Sequence, residues 1–222
     1  GFIGSHFIRI LLAEEADAQV VNLDVLTYAG NLANLADVAS SPRYRFVRGD
    51  IRDMKVAQEL AADADWIVNF AAESHVDRST KARAGEFIDT NVYGAYVMLE
   101  ATRQVNRGAR FLQVGTDEVY GDVPFPEFPT EQAMLAPSSP YSAAKAGADH
   151  IALAFHRTHQ MDVIVSRCTN NYGPNQYPEK VIPVFVTNAL DGEPLPLYDG
   201  GTQVRDWLRV EDHCRALLLL LR

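Results

Sequence analysis

The sequence predicts an α/β fold, a doubly wound parallel sheet with helices packed on it, and three observations predict it. Short apolar runs rich in Val, Ile and Phe recur along the chain. Segments with apolar residues at helical spacing separate them, the alternation expected of parallel strands joined by helical crossovers. Several runs close on a polar residue, Asp24, Asp50 and Thr116, which places chemistry at the carboxyl edge of the sheet, where open α/β sheets bind ligands.

In chain order, residues 3–15 have the spacing of a helix, and strands follow at 20–24, 44–50 and 66–72. Residues 86–105 carry Phe87, Ile88, Val92, Tyr96, Leu99 and Ala101 on one long helix, and 111–116 is the next strand. Pro124, Pro126, Pro129 and Pro137 make 122–139 an irregular excursion. Ser138-Ser139-Pro140 then starts a helix over 141–159, because Ser caps a helix and Pro suits its first turn. A strand at 163–168 is followed by the turn-rich stretch 170–178 and by Asp199-Gly200-Gly201.

Composition bounds the function. The chain has 222 residues, 47% hydrophobic and 22% charged, as in a globular protein with a sizeable core. A net charge of -9 argues against a nucleic-acid partner. Cys168 and Cys214 form no CxxC and have no His cluster, so neither a metal site nor a disulfide framework is expected, and reduced thiols in a cytoplasmic protein are. The run Leu217 to Leu221 is far short of the ~20 apolar residues of a membrane span and reads as a buried helix face. No secretory signal is visible. The chain begins without Met inside a helical pattern and stops inside an apolar run, so it reads as a fragment cut at both ends.

Gly1-Phe2-Ile3-Gly4 at a helix start lets backbone approach a pyrophosphate at the positive helix end. Asp24 ends its strand twenty residues after Gly4, where a dinucleotide fold places the carboxylate that binds the adenosine ribose and disfavours NADP. Asp50 ends the next strand and reads equally as an adenine contact or an ordinary strand-terminating Asp. Ala71-Ala72-Glu73-Ser74-His75 ends the following strand with small residues that would let a cofactor pass close by. His75 alone reads more readily as a structural hydrogen-bonding residue than as a catalyst.

Tyr141 and Lys145 are four apart, so on a helix they share a face, and an ammonium beside a phenol favours the phenolate. A Tyr tuned in this way can deprotonate a substrate hydroxyl. Thr116 on the preceding strand can bond the same oxygen. Asp117 and Glu118 follow at once; one carboxylate can take a proton made acidic by a neighbouring ketone and the other protonate a departing hydroxyl. Taken alone, the same pair fits an acidic turn leading to Gly121. Together the groups point to elimination coupled to hydride transfer.

These residues recur as one set. Gly-Phe-Ile-Gly-Ser at 1–5, Leu-Thr-Tyr-Ala-Gly-Asn at 26–31, Ala-Ala-Glu-Ser-His-Val-Asp-Arg-Ser at 71–79 and Thr-Asp-Glu-Val-Tyr-Gly at 116–121 resemble the dTDP-glucose 4,6-dehydratases. So do Ser-Pro-Tyr-Ser-Ala-Ala-Lys, Asn-Asn-Tyr-Gly-Pro, Pro-Glu-Lys at 178–180 and Arg-Asp-Trp-Leu at 205–208. These are NAD-dependent nucleotide-sugar enzymes of the extended short-chain dehydrogenase/reductase group. The resemblance covers essentially the whole chain, and Asp-Glu after the Thr is specific within the group.

The resemblance implies a Rossmann-type NAD-binding domain over residues 1–169, its first strand ahead of Gly1, and part of a nucleotide-sugar-binding region over 170–222. It implies that Tyr141, helped by Thr116 and Lys145, takes the C4 hydroxyl proton, that Glu118 removes the C5 proton, and that Asp117 protonates the C6 hydroxyl. For the cofactor it suggests Phe2, Ile3, Asp24, Leu26, Thr27, Asp50, Ile51, Ala71, Ala72, Ser74, Thr90, Tyr141, Lys145 and Asn171. For the substrate, dTDP-glucose, it suggests His75, Thr116, Asn170, Lys180, Pro196, Tyr198 and Arg205, the last as a pyrophosphate clamp. A homodimer joined through helices 86–105 and 141–159 is implied, and the segment by itself is expected to be weakly active or inactive. The alternatives are another NAD-dependent nucleotide-sugar epimerase or UDP-sugar dehydratase and, from a different class, a non-catalytic NAD-binding module.

Overall fold

The computed structural model describes residues 1–74, 84–124 and 126–222, and of Tyr198 and Asp199 the backbone only. Chain contacts divide it into two compact units. The first comprises Gly1–Val20, Leu26–Tyr44 and Thr169–Leu218; the second comprises Val21–Val25, Arg45–Cys168 and Leu219–Arg222.

The second unit holds the sheet that carries the reacting groups. Strands β1 (Val20–Asp24) and β2 (Tyr44–Arg48) pair with each other. Strands β3 (Trp66–Asn69), β4 (Arg110–Thr116) and β5 (Val163–Cys168) form a parallel sheet in the order β3-β4-β5. Asn69 is opposite Gln113 and Thr116 opposite Cys168, so the carboxyl ends of β4 and β5 are level. The expected alternation of strand and helix is thus a parallel α/β sheet. The β3 run stops at Asn69 rather than Ala72, because the Asn69 side chain turns the chain: Oδ1 accepts from Ala71 N at 3.2 Å, while Nδ2 donates to Gln113 Oε1 at 2.9 Å.

Helix α2 (Met54–Ala61), capped by Asp53, packs on the expected long helix, which is divided in three. A short α3 (Ala84–Phe87) runs into a π turn, Ile88–Tyr93, and then into α4 (Gly94–Val105). The π turn presents Asn91, only 2% exposed, to the chain after β3: Glu73 N donates to its Oδ1 at 2.8 Å and its Nδ2 donates to Glu73 O at 3.0 Å. Helix α5 (Pro140–His159) starts as predicted. Ser139 Oγ accepts from Ser142 N at 3.1 Å, Ser142 Oγ accepts from Ser139 N at 3.0 Å, and Pro140 fills the first turn. Ala57, Val97, Leu99, Phe111, Ala152 and Met161, all essentially inaccessible, are the core between these helices and the sheet.

In the first unit α1 (Phe2–Glu14) packs Ile8 and Leu12 against Val20 and Leu35. Arg43 neutralises its carboxyl end, donating to Leu12 O at 2.7 Å and Glu15 O at 2.9 Å. The remaining elements are β6 (Asn170–Tyr172), parallel to β7 (Trp207–Arg209), with α6 (Val181–Asp191) and α7 (Val210–Leu221). The leucine run lies on α7, with Leu217, Leu218 and Leu221 buried. Among the described residues no helix is long and apolar enough to cross a membrane.

Candidate active site

Thr116 ends β4 with 7% of its surface exposed and caps the short 3-10 turn Asp117–Tyr120. Its Oγ1 accepts from Glu118 N and donates to Asp117 Oδ1, both at 3.3 Å. The strand end and its cap therefore fix both carboxylates within one turn of the sheet's carboxyl edge. Gly121 closes that turn at φ 74, a left-handed conformation that suits glycine.

Tyr141 stands in the first turn of α5, its ring edge-on to Phe87 at 6.3 Å between centroids. Burial pushes its phenol well above the ordinary value, the charges of Glu118, Cys168 and Asp117 push it the same way, and the Thr116 side chain opposes them. Thr116, Asp117, Glu118 and Tyr141 thus form one electrostatic group. Lys145, 5% exposed, shares the Tyr141 face of α5 but spends its ammonium on the β4 backbone, donating from Nζ to Val114 O at 2.6 Å. Burial drives Lys145 toward the neutral amine, and the charge of Asp149 holds against it.

The other residues of this unit have mixed surroundings. Asp24 ends β1, with Gly49 N donating to its carbonyl at 3.3 Å. Asp50 is bound by Arg52 in a bidentate pair, Nη2 to Oδ2 at 2.6 Å, which holds its carboxyl below the usual range. Ile51 is a core side chain, 8% exposed, against which a Cβ on Gly94 would collide. Ala71, Ala72 and Ser74 form the stretch that Asn69 and Asn91 hold in place, and Thr90 lies in the π turn. His75 lies outside the described residues.

In the first unit α1 begins at Phe2, with Gly1 at its cap position, no side-chain cap and no acidic residue in its first turn. The first-turn amides of Phe2, Ile3 and Gly4 have no intrahelical acceptor, so this end fits a pyrophosphate, the anionic part of a dinucleotide. His6 anchors the helix start to Pro174 O at 2.8 Å. Leu26 adopts φ 58, a backbone strain of about 1 kcal/mol or more in a branched residue. Thr27 O accepts from Gly30 N at 2.9 Å in the same turn, and Tyr28 bonds Glu179 at 3.1 Å, which brings this loop beside Lys180 at the start of α6. Asn171 is 8% exposed and fixed at both ends of its amide, donating to Thr169 O at 2.9 Å and meeting His213 Nδ1 at 2.8 Å through Oδ1. Burial depresses the His213 imidazole to about 4. Asn170 Nδ2 reaches Asp206 O at 3.4 Å. Pro196 is exposed and Tyr198 begins a 3-10 turn. Arg205 donates to Val204 O at 2.7 Å, and Glu211 pairs with Arg209.

The residues missed in the sequence are those that hold others: Asn91, Asp149, Arg167 and His213. Only Asp149 carried a readable signal, its place four residues after Lys145.

A family model described as GDP-mannose 4,6 dehydratase matches residues 1–222. The chain belongs to this dehydratase family. A dTDP-glucose 4,6-dehydratase of Streptomyces niveus is 52% identical, the match covering 100% of this chain and 66% of that protein. The crystal structure of DesIV, a dTDP-glucose 4,6-dehydratase from Streptomyces venezuelae with NAD and TYD bound, is 52% identical with a TM-score of 0.95, covering 100% of this chain and 70% of that one. A UDP-glucuronic acid 4-epimerase from Bacillus cereus, in complex with UDP-glucuronic acid and NAD, reaches a TM-score of 0.92 at 25% identity, with 100% and 70% covered. The structural match bears out the α/β class expected from the strand pattern and the Rossmann type implied by the resemblance.

Proposed function

We propose that the intact protein dehydrates dTDP-glucose to dTDP-4-keto-6-deoxyglucose, with NAD as a cofactor regenerated in each cycle. The observation that carries this reading is the placing of Asp117 and Glu118 in one turn capped by Thr116, with both carboxylates and Thr116 acting on the Tyr141 phenol. An epimerase that only oxidises and reduces C4 has no use for two carboxylates there.

When bound, NAD supplies a hydride acceptor and donor. Gly1, Phe2, Ile3 and Gly4 hold its pyrophosphate at the start of α1, and Asp24 its adenosine ribose. Tyr141, oriented by Thr116, takes the proton of the C4 hydroxyl as that carbon is oxidised. Glu118 removes the C5 proton, which the new ketone makes acidic, and Asp117 protonates the C6 hydroxyl so that it leaves as water. Lys145, Asn170, Lys180 and Arg205 complete the cofactor and nucleotide contacts. The fixed amide of Asn171 belongs to the cofactor side.

We also read the intact protein as a cytoplasmic homodimer, supported by the exposure of Ile88, Tyr93 and Tyr96 along the π turn and α4. Sedimentation at graded concentration checks it.

The experiment offers dTDP-glucose, UDP-glucose and GDP-mannose to the intact protein. A 4-keto-6-deoxy product from dTDP-glucose, without net NADH, is expected. Preference for another nucleotide moves the substrate, and no product from any of the three ends the dehydratase reading.

A further inference from the structure

Tyr141, Lys145 and Asp149 recur at four-residue intervals on one face of α5, yet the third has no part in the reaction as written. Asp149 is 0% exposed. Its Oδ2 accepts from Arg167 Nε at 2.8 Å, and among the described residues Oδ1 has no hydrogen-bond partner. Strand β4 leaves room for it only because residue 115 is Gly: a Cβ there would stand 3.0 Å from Oδ1 and 2.5 Å from Ser166 O. A carboxylate enclosed in this way costs stability that apolar packing would not, so packing does not explain it.

Its surroundings give it an electrostatic task. Lys145 is faced by Asp149 from its own helix and by Cys168 from β5; Asp149 is faced by Arg167 from β5 and by Lys145 and His150 from its own helix. Burial works against both charges, and at Asp149 the hydrogen bond and charge of Arg167 oppose it. The far side of the same guanidinium lies over the Tyr120 ring, 5.2 Å from its centroid, with Nη1 donating to Tyr120 Oη at 2.9 Å and to Glu131 O at 3.3 Å. Tyr120 ends the turn that begins with Asp117 and Glu118.

We propose that Asp149 and Arg167 are positioning residues that join the two halves of the site: Asp149 keeps Lys145 an ammonium, and Arg167 anchors, through Tyr120, the turn bearing Asp117 and Glu118. The second half rests on the dehydratase reading; the first does not.

The test of the first half needs no substrate. In the intact protein, with isotope-labelled lysine followed by NMR, Asp149→Asn should lower the pH at which the Lys145 ammonium titrates by about one unit or more. An unchanged midpoint overturns the claim, whether or not dTDP-glucose is turned over. If Asp149→Asn fails to fold, Arg167→Gln, which removes the partner of Asp149, decides the first half by the same titration: the Lys145 midpoint should fall, and an unchanged midpoint overturns the claim. Tyr120→Phe leaves the ion pair intact, removes one hydrogen bond and tests the second half. With dTDP-glucose, its cofactor reduction should stay within about twofold of the unaltered protein while C5 proton release falls about tenfold. Equal rates in both steps overturn the anchoring.

Discussion

Tyr141 holds its proton tightly in the cofactor-free protein. The sequence pairs it with Lys145 and so leads one to expect a phenol eased toward ionisation, but the ammonium is bound to Val114 O, and burial with Glu118 and Asp117 opposes the phenolate. Ionisation then depends on positive charge that arrives with the bound cofactor. A spectrophotometric titration, differenced against Tyr141→Phe, should place Tyr141 above the ordinary value of 10.0 in the free protein and lower once NAD is added. Titration at or below the ordinary value without NAD contradicts this. Tyr141→Phe should reduce cofactor reduction by dTDP-glucose about 100-fold to 10,000-fold, while Glu118→Gln keeps that step and loses C5 exchange by a similar factor. The types and order of these residues were legible because each closes a strand or opens a helix. The direction of the Lys145 side chain was not, since spacing fixes a face and says nothing of which backbone carbonyl lies beneath it.

At the scale of elements, strand positions were readable from composition and their ends were not. β3 stops early because Asn69 turns back on Ala71 N, a side-chain bond that no periodicity encodes. The expected single helix over 86–105 is interrupted by the π turn, which puts the Asn91 amide against both the N–H and the C=O of Glu73. Asn91→Ala should cost about 1–3 kcal/mol in denaturant unfolding, because both Glu73 groups lose their partner. The contact between α7 and β6 predicts a pH response. His213 is buried as the neutral imidazole with its value lowered to about 4 from 6.5, so the unfolded chain binds the extra proton between those values. Stability from this group is present in full above pH 6.5 and is lost as pH falls toward about 4, a change of roughly 3 kcal/mol. Denaturant unfolding across that range should show the loss, and His213→Gln should flatten it.

At the scale of the molecule, the chain spans 66% and 70% of the two dTDP-glucose dehydratases compared with it. Its packing groups α1 with residues beyond 169, whereas the sequence suggested a functional division at that point. The expected division groups residues by the cofactor or sugar they are expected to serve, while contacts record which segments bury one another, and the two need not coincide. In the proposed cycle hydride leaves and returns to the same sugar, with elimination between. The most direct measurement supplies the intact protein with dTDP-glucose carrying deuterium at C4 and locates the label in the product. Deuterium at C6, transferred within each molecule, is the predicted result; a 4-keto-6-deoxy product without deuterium at C6, or an epimerised sugar carrying the label at C4 in place of that product, would contradict it.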